Sequence, residues 1–154
     1  MADILLATDA DWVVAELRAA VEGPDLAVRS VRRGEAVPAA LREHAPDLVV
    51  LDLQIGNMGG MATCVHLHLE AEAGRLPAVP VLMLLDRRPD VFLARRSGAD
   101  GFIMKPLDAI RLRKAVRSLL GGQGRSACAT GSATVPEEGR PYPRGYGVGP
   151  WPTS

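Results

Sequence analysis

The segment Asp47–Asp52 constrains the fold of this chain more than any other. Four consecutive apolar residues, Leu48–Leu51, lie between two acids, and two of the four are β-branched. A short apolar run of this kind is typical of a strand buried on both faces, as in a parallel sheet. A glycine-rich stretch follows, so Asp52 is predicted to end a central strand. Ligands bind at that edge of open α/β sheets, and a carboxylate there needs a partner or a metal, which makes Asp52 a candidate site residue.

Strand and helix patterns alternate five times before residue 121. Strand patterns cover 4–7, 26–31, 47–52, 79–85 and 101–104, and helical apolar spacing covers 12–21, 35–43, 61–72, 91–97 and 109–120. Asp11 and Asp108 are predicted to be the N-caps of the first and last helices. The alternation predicts an α/β fold, a doubly wound five-stranded parallel sheet with helices on both faces.

Composition changes after the last predicted helix. Residues 121–154 are rich in glycine, proline and small polar residues and have no apolar period. Such a composition buries too little apolar surface to fold alone, so we predict one domain over residues 1–120 and a tail over 121–154 that is disordered or loosely docked. The tail also lacks the helical periods that a helix-turn-helix requires.

Charge and cysteine content exclude several classes of partner. The 18 basic residues balance the 18 acidic ones, which argues against a nucleic-acid or anionic-membrane partner. Lys105 and Lys114 are the two lysines, so a lysine at a site is noticeable. Cys64 and Cys128 have no disulfide-framework spacing, and no signal peptide or membrane span is evident. These features predict a cytoplasmic protein without a structural disulfide.

Three charged residues remain at predicted strand ends after the common catalytic motifs are excluded. The chain has no phosphate-binding Gly-x-x-x-x-Gly-Lys loop, and His66 and His68 are too close in sequence to share a helix face as metal ligands. Asp9, Asp52 and Lys105 each follow a strand pattern, so they are predicted to meet at one sheet edge.

Four motifs together resemble the receiver domain of two-component response regulators. They are Ile4–Asp9, Asp47–Leu53, Met58–Gly60 and Gly98–Pro106. The resemblance covers residues 3–120 and implies the flavodoxin-like (βα)5 receiver fold. It also implies a cis peptide bond between Lys105 and Pro106.

The resemblance implies a role for each site residue. Asp52 would accept a phosphoryl group from a sensor histidine kinase or a phosphotransfer protein, and Lys105 would pair with the phosphoryl oxygens. Asp9, Asp52 and the backbone carbonyl of Gln54 would bind Mg²⁺. Two carboxylates about 4 Å apart repel by roughly 4 kcal/mol at an effective dielectric constant near 20, and a hard divalent cation removes that cost. The resemblance implies no enzyme activity beyond self-phosphorylation and slow autodephosphorylation at Asp52.

The sequence departs from the family pattern at three positions. Thr8 stands where the family has a second acid, and Gly56 replaces a proline, which we expect to matter little. Leu85 replaces the hydroxyl residue that would report phosphorylation to the switch aromatic, here Phe102. A hydrogen bond from such a hydroxyl to a charged group is worth about 1.5–3 kcal/mol. Leucine is also larger, so we expect it to occupy space that an inward Phe102 would need.

These residues are consistent with two functions. One is a single-domain response regulator in a phosphorelay, signalling through a downstream protein partner, which Asp9, Asp52 and Lys105 favour. The other is a pseudo-receiver, a binding module that acts independently of phosphorylation, which Thr8 and Leu85 favour. A flavodoxin-like cofactor domain is disfavoured because no phosphate-cradling loop follows the first strand.

A contact surface is predicted on the last helix. Ile110 lies off the apolar stripe of that helix, near Phe102 and the preceding helix, which carries Arg95 and Arg96. We hypothesise that this face forms a homodimer or another protein contact.

Overall fold

The computed structural model describes residues 1–121 and 148–150 of the chain. Its strands are β1 (Ala2–Ala7), β2 (Leu26–Val31), β3 (Leu48–Asp52), β4 (Val81–Leu85), β5 (Gly101–Met104) and β6 (Val148–Pro150). Its helices are α1 (Asp11–Val21), α2 (Val37–Glu43), α3 (Gly60–Glu72), α4 (Asp90–Arg96) and α5 (Ala109–Leu120), with a short 3-10 helix (Gly34–Ala36) before α2. None of these helices is long and apolar enough to cross a membrane.

The sheet has the strand order β2-β1-β3-β4-β5-β6, and β1 to β5 run parallel. β3 pairs with β1 on one side and β4 on the other, and every residue of β3 and β4 is buried. The predicted doubly wound α/β fold, with a central strand that ends at Asp52, is confirmed.

Alternate strand residues enter two hydrophobic cores, one on each face of the sheet. On one face Leu5, Val49 and Leu51 pack with residues of α2, α3 and α4. On the other face Ile4 and Val50 pack with residues of α1 and α5. Side chains of a strand alternate between faces, so a sheet with helices on both sides needs apolar residues at consecutive positions. This requirement explains the uninterrupted apolar runs in the sequence.

One of the two predicted helix caps is wrong. Ala10 is the N-cap of α1, and Asp11 is the first helical residue. The Asp11 carboxylate accepts a hydrogen bond from Arg32, which directly follows β2. The cap of α5 is confirmed, because the Asp108 side chain accepts a hydrogen bond from the Arg111 backbone N–H at 2.9 Å. Asp11 was misassigned because an acid suits both the N-cap and the first turn of a helix.

The sheet has one strand that the sequence does not predict. β6 pairs antiparallel with β5, with Phe102 opposite Gly149. An open strand edge offers unpaired N–H and C=O groups, which can pair with an extended segment of almost any sequence. The rest of the predicted tail, residues 122–147 and 151–154, lies outside the described residues.

Cys64 is a packing residue of α3. It is fully buried, and its Sγ donates a hydrogen bond to the Ser97 carbonyl oxygen at 3.3 Å. Burial raises the pKa of the Cys64 thiol to about 12. The thiol therefore stays protonated at neutral pH and is not a nucleophile. Cys128 lies outside the described residues.

Candidate phosphoacceptor site

The three predicted site residues lie at one edge of the sheet, where parallel strands end. Asp52 is the last residue of β3, Asp9 lies just beyond β1, and Lys105 directly follows β5. Their exposure differs: the Asp52 and Lys105 side chains are only 2% and 9% exposed, whereas Asp9 is exposed to solvent. The edge therefore holds a buried ion pair, Lys105 with Asp52, and a second, solvent-exposed carboxylate, that of Asp9.

The carboxylate of Asp52 accepts three hydrogen bonds. Its Oδ1 accepts one from Lys105 Nζ at 2.9 Å and one from the Gln54 backbone N–H at 3.1 Å. Its Oδ2 accepts one from the Thr8 hydroxyl at 2.9 Å. A buried charge is tolerated only when it is paired and hydrogen-bonded, and these three donors meet that requirement.

Thr8 is a site residue whose contact the sequence does not reveal. Its hydroxyl oxygen accepts a hydrogen bond from the Ala10 backbone N–H at 3.2 Å, so its own hydrogen is directed to Asp52. From the sequence, Thr8 is only a missing acid. A second acid at this position would repel the Asp52 carboxylate, whereas the Thr8 hydroxyl donates a hydrogen bond to it.

Asp9 is held by the loop between β3 and α3. Its Oδ2 accepts a hydrogen bond from the Gly56 backbone N–H at 3.2 Å. Proline has no amide hydrogen to donate and could not make this contact; the expectation that the replacement matters little stays a prediction. The glycine thus orients Asp9.

Lys105 and Pro106 are joined by a cis peptide bond, as predicted. The sequence model of one protein family, the response regulator receiver domain, matches residues 4–117. The chain belongs to this family.

Two relatives have sequences similar to this receiver. It is 39% identical over 121 residues to the DNA-binding response regulator MtrA of Mycolicibacterium paratuberculosis, an alignment that covers 75% of this chain and 50% of MtrA. It is 27% identical over 122 residues to Protein PilH of Pseudomonas aeruginosa, which covers 79% of this chain and 100% of PilH. The chain spans half the length of the MtrA proteins that it matches.

Solved structures agree with the assignment. The signal receiver domain of a signal transduction histidine kinase from Syntrophus aciditrophicus superposes with a TM-score of 0.70 at 29% identity, covering 89% of this chain and 100% of that one. A response regulator structure from Chloroflexus aurantiacus also superposes with a TM-score of 0.70, covering 78% of this chain and 98% of that one. Its sequence is 22% identical, so this likeness supports the fold alone.

The donor groups of the receiver's site suit a magnesium ion. Mg²⁺ binds through one or two carboxylates, with other oxygen atoms and waters completing its shell. Asp9 and Asp52 supply two carboxylates, and the Gln54 carbonyl is the predicted third ligand. Asp52 Oδ2 accepts one hydrogen bond, so it retains a lone pair. Within residues 1–121 and 148–150, His, Cys, Asp and Glu form no metal-binding cluster of three or more. Two carboxylates and a carbonyl are hard oxygen donors, which suit Mg²⁺ better than zinc, whose sites are built mainly from nitrogen and sulfur ligands.

Lys105 has two neighbours that the sequence pattern does not predict. Its Nζ lies 3.4 Å from Asp86 Oδ2 and 5.7 Å from the centroid of the Trp12 ring. Asp86 follows β4, so its place just beyond a strand end could have indicated a site position. Trp12 lies in α1, where its spacing gave no such signal.

The switch positions Leu85 and Phe102 are both buried. Leu85 is inaccessible to solvent, Phe102 is 5% exposed, and both belong to the same core. The expectation that Leu85 occupies space needed by an inward Phe102 is therefore wrong, because the core holds both. The missing hydroxyl at position 85 remains.

Proposed function

We propose that this receiver accepts a phosphoryl group on Asp52 from the phosphohistidine of a sensor histidine kinase or a phosphotransfer protein. The observation that supports the proposal is the buried Asp52 carboxylate 2.9 Å from Lys105 Nζ, at the sheet edge where ligands bind. A carboxylate with a lysine beside it can act as a nucleophile toward phosphorus while the cation offsets the negative charge of the incoming group.

In the proposed step a P–O bond forms to Asp52 while the P–N bond of the phosphohistidine breaks. The imidazole leaves with the electron pair of the broken bond and takes up a proton. Lys105 moves toward the phosphoryl oxygens, and Asp9, Asp52 and the Gln54 carbonyl would hold Mg²⁺, which supplies further charge neutralisation. Water then hydrolyses the acyl phosphate slowly, and we propose no other catalytic turnover.

The proposal includes a cytoplasmic location and protein partners. The balanced charge argues against binding to nucleic acid or an anionic membrane. Ile110 is 76% exposed and lies off the buried stripe of α5. We propose that this surface contacts a downstream protein or a second copy of the chain.

A pseudo-receiver that acts independently of phosphorylation is the second candidate. It is favoured by Leu85, which offers no hydroxyl to a phosphoryl oxygen, and by Thr8, which satisfies Asp52 without a metal. The buried Lys105 favours the first function, because a binding module does not need a desolvated cation beside the carboxylate.

Intact-mass spectrometry separates the two functions. The protein is incubated with acetyl phosphate, with Mg²⁺ or with a chelator, beside the variants Asp52→Asn and Glu72→Gln. Glu72 is an exposed acid at the far end of α3 and matches the charge change. We expect one phosphoryl group on the native protein and on Glu72→Gln, only with Mg²⁺. Labelled Asp52→Asn, or labelling without metal, would contradict the assignment, and an unlabelled native protein would favour the pseudo-receiver.

A further inference from the structure

The ammonium group of Lys105 is shared between the carboxylate of Asp52, at the end of β3, and that of Asp86, directly after β4. Its Nζ lies 2.9 Å from Asp52 Oδ1 and 3.4 Å from Asp86 Oδ2. The Lys105 side chain is 9% exposed, and the Trp12 ring lies 5.7 Å from its Nζ. Because water reaches this cation poorly, its interactions with the two acids are screened less than those of a surface lysine.

Asp86 begins the loop that connects β4 to α4. The next residue, Arg87, donates two hydrogen bonds to the Asp90 carboxylate, at 3.2 and 3.0 Å. Asp90 is 2% exposed and is the first residue of α4. Asp86 is therefore one peptide bond away from a residue whose side chain is bound to the first residue of α4.

We propose that Asp86 couples phosphorylation of Asp52 to the β4–α4 loop through Lys105. This inference rests on the proposed phosphoacceptor function. It gives the receiver a connection between the site and α4 that does not need the hydroxyl absent at Leu85. Asp86 acts through Lys105 and is thus a positioning residue.

The coupling follows from the charges. A phosphoryl group adds about 1.5–2 negative charges on the Asp52 side of Lys105. The lysine is drawn toward the phosphoryl oxygens, while the Asp86 carboxylate loses part of its attraction and is repelled by the new charge. A ligand shifts an equilibrium only when it interacts differently with the two states, and the competition for Lys105 supplies that difference.

A surface ion pair without a signalling role is the alternative. The Asp86 side chain is 40% exposed, and exposed pairs contribute little to stability. Measurements of stability therefore cannot distinguish the coupling hypothesis from a surface ion pair. The response of the β4–α4 loop to a phosphoryl mimic can distinguish them, because only coupling makes that response depend on the Asp86 carboxylate.

Amide chemical shifts measured before and after adding beryllofluoride with Mg²⁺ provide the test. The full chain is compared as the native protein, Asp86→Asn, the conservative Asp86→Glu and the control Glu72→Gln. We expect shifts at residues 53–56, beside Asp52, and at residues 86–90 in the native protein and Glu72→Gln. In Asp86→Asn the shifts at 53–56 should persist while those at 86–90 fall to about half or less. Asp86→Glu should restore part of the loop response.

The two proposals fail in different ways. If the native protein shows no shifts at 53–56, the phosphoacceptor function is wrong and the coupling is wrong with it. If 53–56 respond but the loop shifts are equal in Asp86→Asn and the native protein, the function stands and the coupling is overturned.

Discussion

Breaking the buried ion pair from its two sides should have unequal effects on stability. Lys105→Met removes the cation and leaves the Asp52 carboxylate, 2% exposed, without an opposite charge. Asp52→Asn removes the carboxylate, but Lys105 keeps Asp86 at 3.4 Å and has a long side chain that can extend toward water. The structure therefore predicts that loss of the lysine costs more than loss of the acid.

The magnitude follows from what remains around each group. Removing one partner of a buried pair costs about 3–5 kcal/mol. We expect about 2–3 kcal/mol for Lys105→Met, because Asp52 retains hydrogen bonds from the Thr8 hydroxyl and the Gln54 N–H, and such bonds to a charged group are worth about 1.5–3 kcal/mol each. For Asp52→Asn we expect less than about 1 kcal/mol.

Urea unfolding at neutral pH, followed by circular dichroism, measures this difference. With a slope of about 1–3 kcal/mol/M, the Lys105→Met midpoint should fall by roughly 0.7–3 M while the slope stays unchanged. The double variant Asp52→Asn/Lys105→Met should recover most of the loss, because it leaves no unpaired buried charge and the Asp86 carboxylate that loses its partner is 40% exposed. Equal losses in the two single variants, or an unchanged midpoint for Lys105→Met, would refute the reasoning.

Four further outcomes are expected. Thr8→Asp should tighten Mg²⁺ binding about tenfold or more by calorimetry and destabilise the metal-free protein, since neighbouring carboxylates repel by roughly 4 kcal/mol at about 4 Å; unchanged affinity would count against a metal at this edge. Burial raises the pKa of Asp100, so its charged form is disfavoured in the fold and stability falls as pH rises through the raised pKa. The urea midpoint of Asp100→Asn should therefore be higher than that of the native protein at neutral pH, and the difference between the two midpoints should disappear near pH ~3. A difference independent of pH would exclude burial of the charged Asp100 as its cause. Ile110→Glu should weaken self-association or partner binding in sedimentation experiments, and no change in either would show that the surface makes no contact. Leu85→Thr should enlarge the amide shifts around Phe102 on phosphorylation, whereas Phe102 in the native protein should keep one orientation; large native shifts would show that the switch works without the hydroxyl.

Periodicity in the sequence was enough to predict the fold and the edge where the site lies. The apolar runs that end at Ala7, Leu51 and Met104 predict parallel strands buried on both faces, because each position faces a helix layer on one side or the other. Strand ends are local features, so Asp52 and Lys105 could be placed at one edge without knowing any contact.

Only the tertiary structure determined which groups touch at that edge. The Thr8 hydroxyl bonds to Asp52 from 44 residues away, and Lys105 reaches Asp52 from 53 residues away. Such contacts depend on the register between strands and on side-chain directions, which no local pattern encodes. For the same reason Asp86 beside Lys105 went unrecognised, and β6 was missed because its pairing uses backbone groups, which do not distinguish one extended sequence from another.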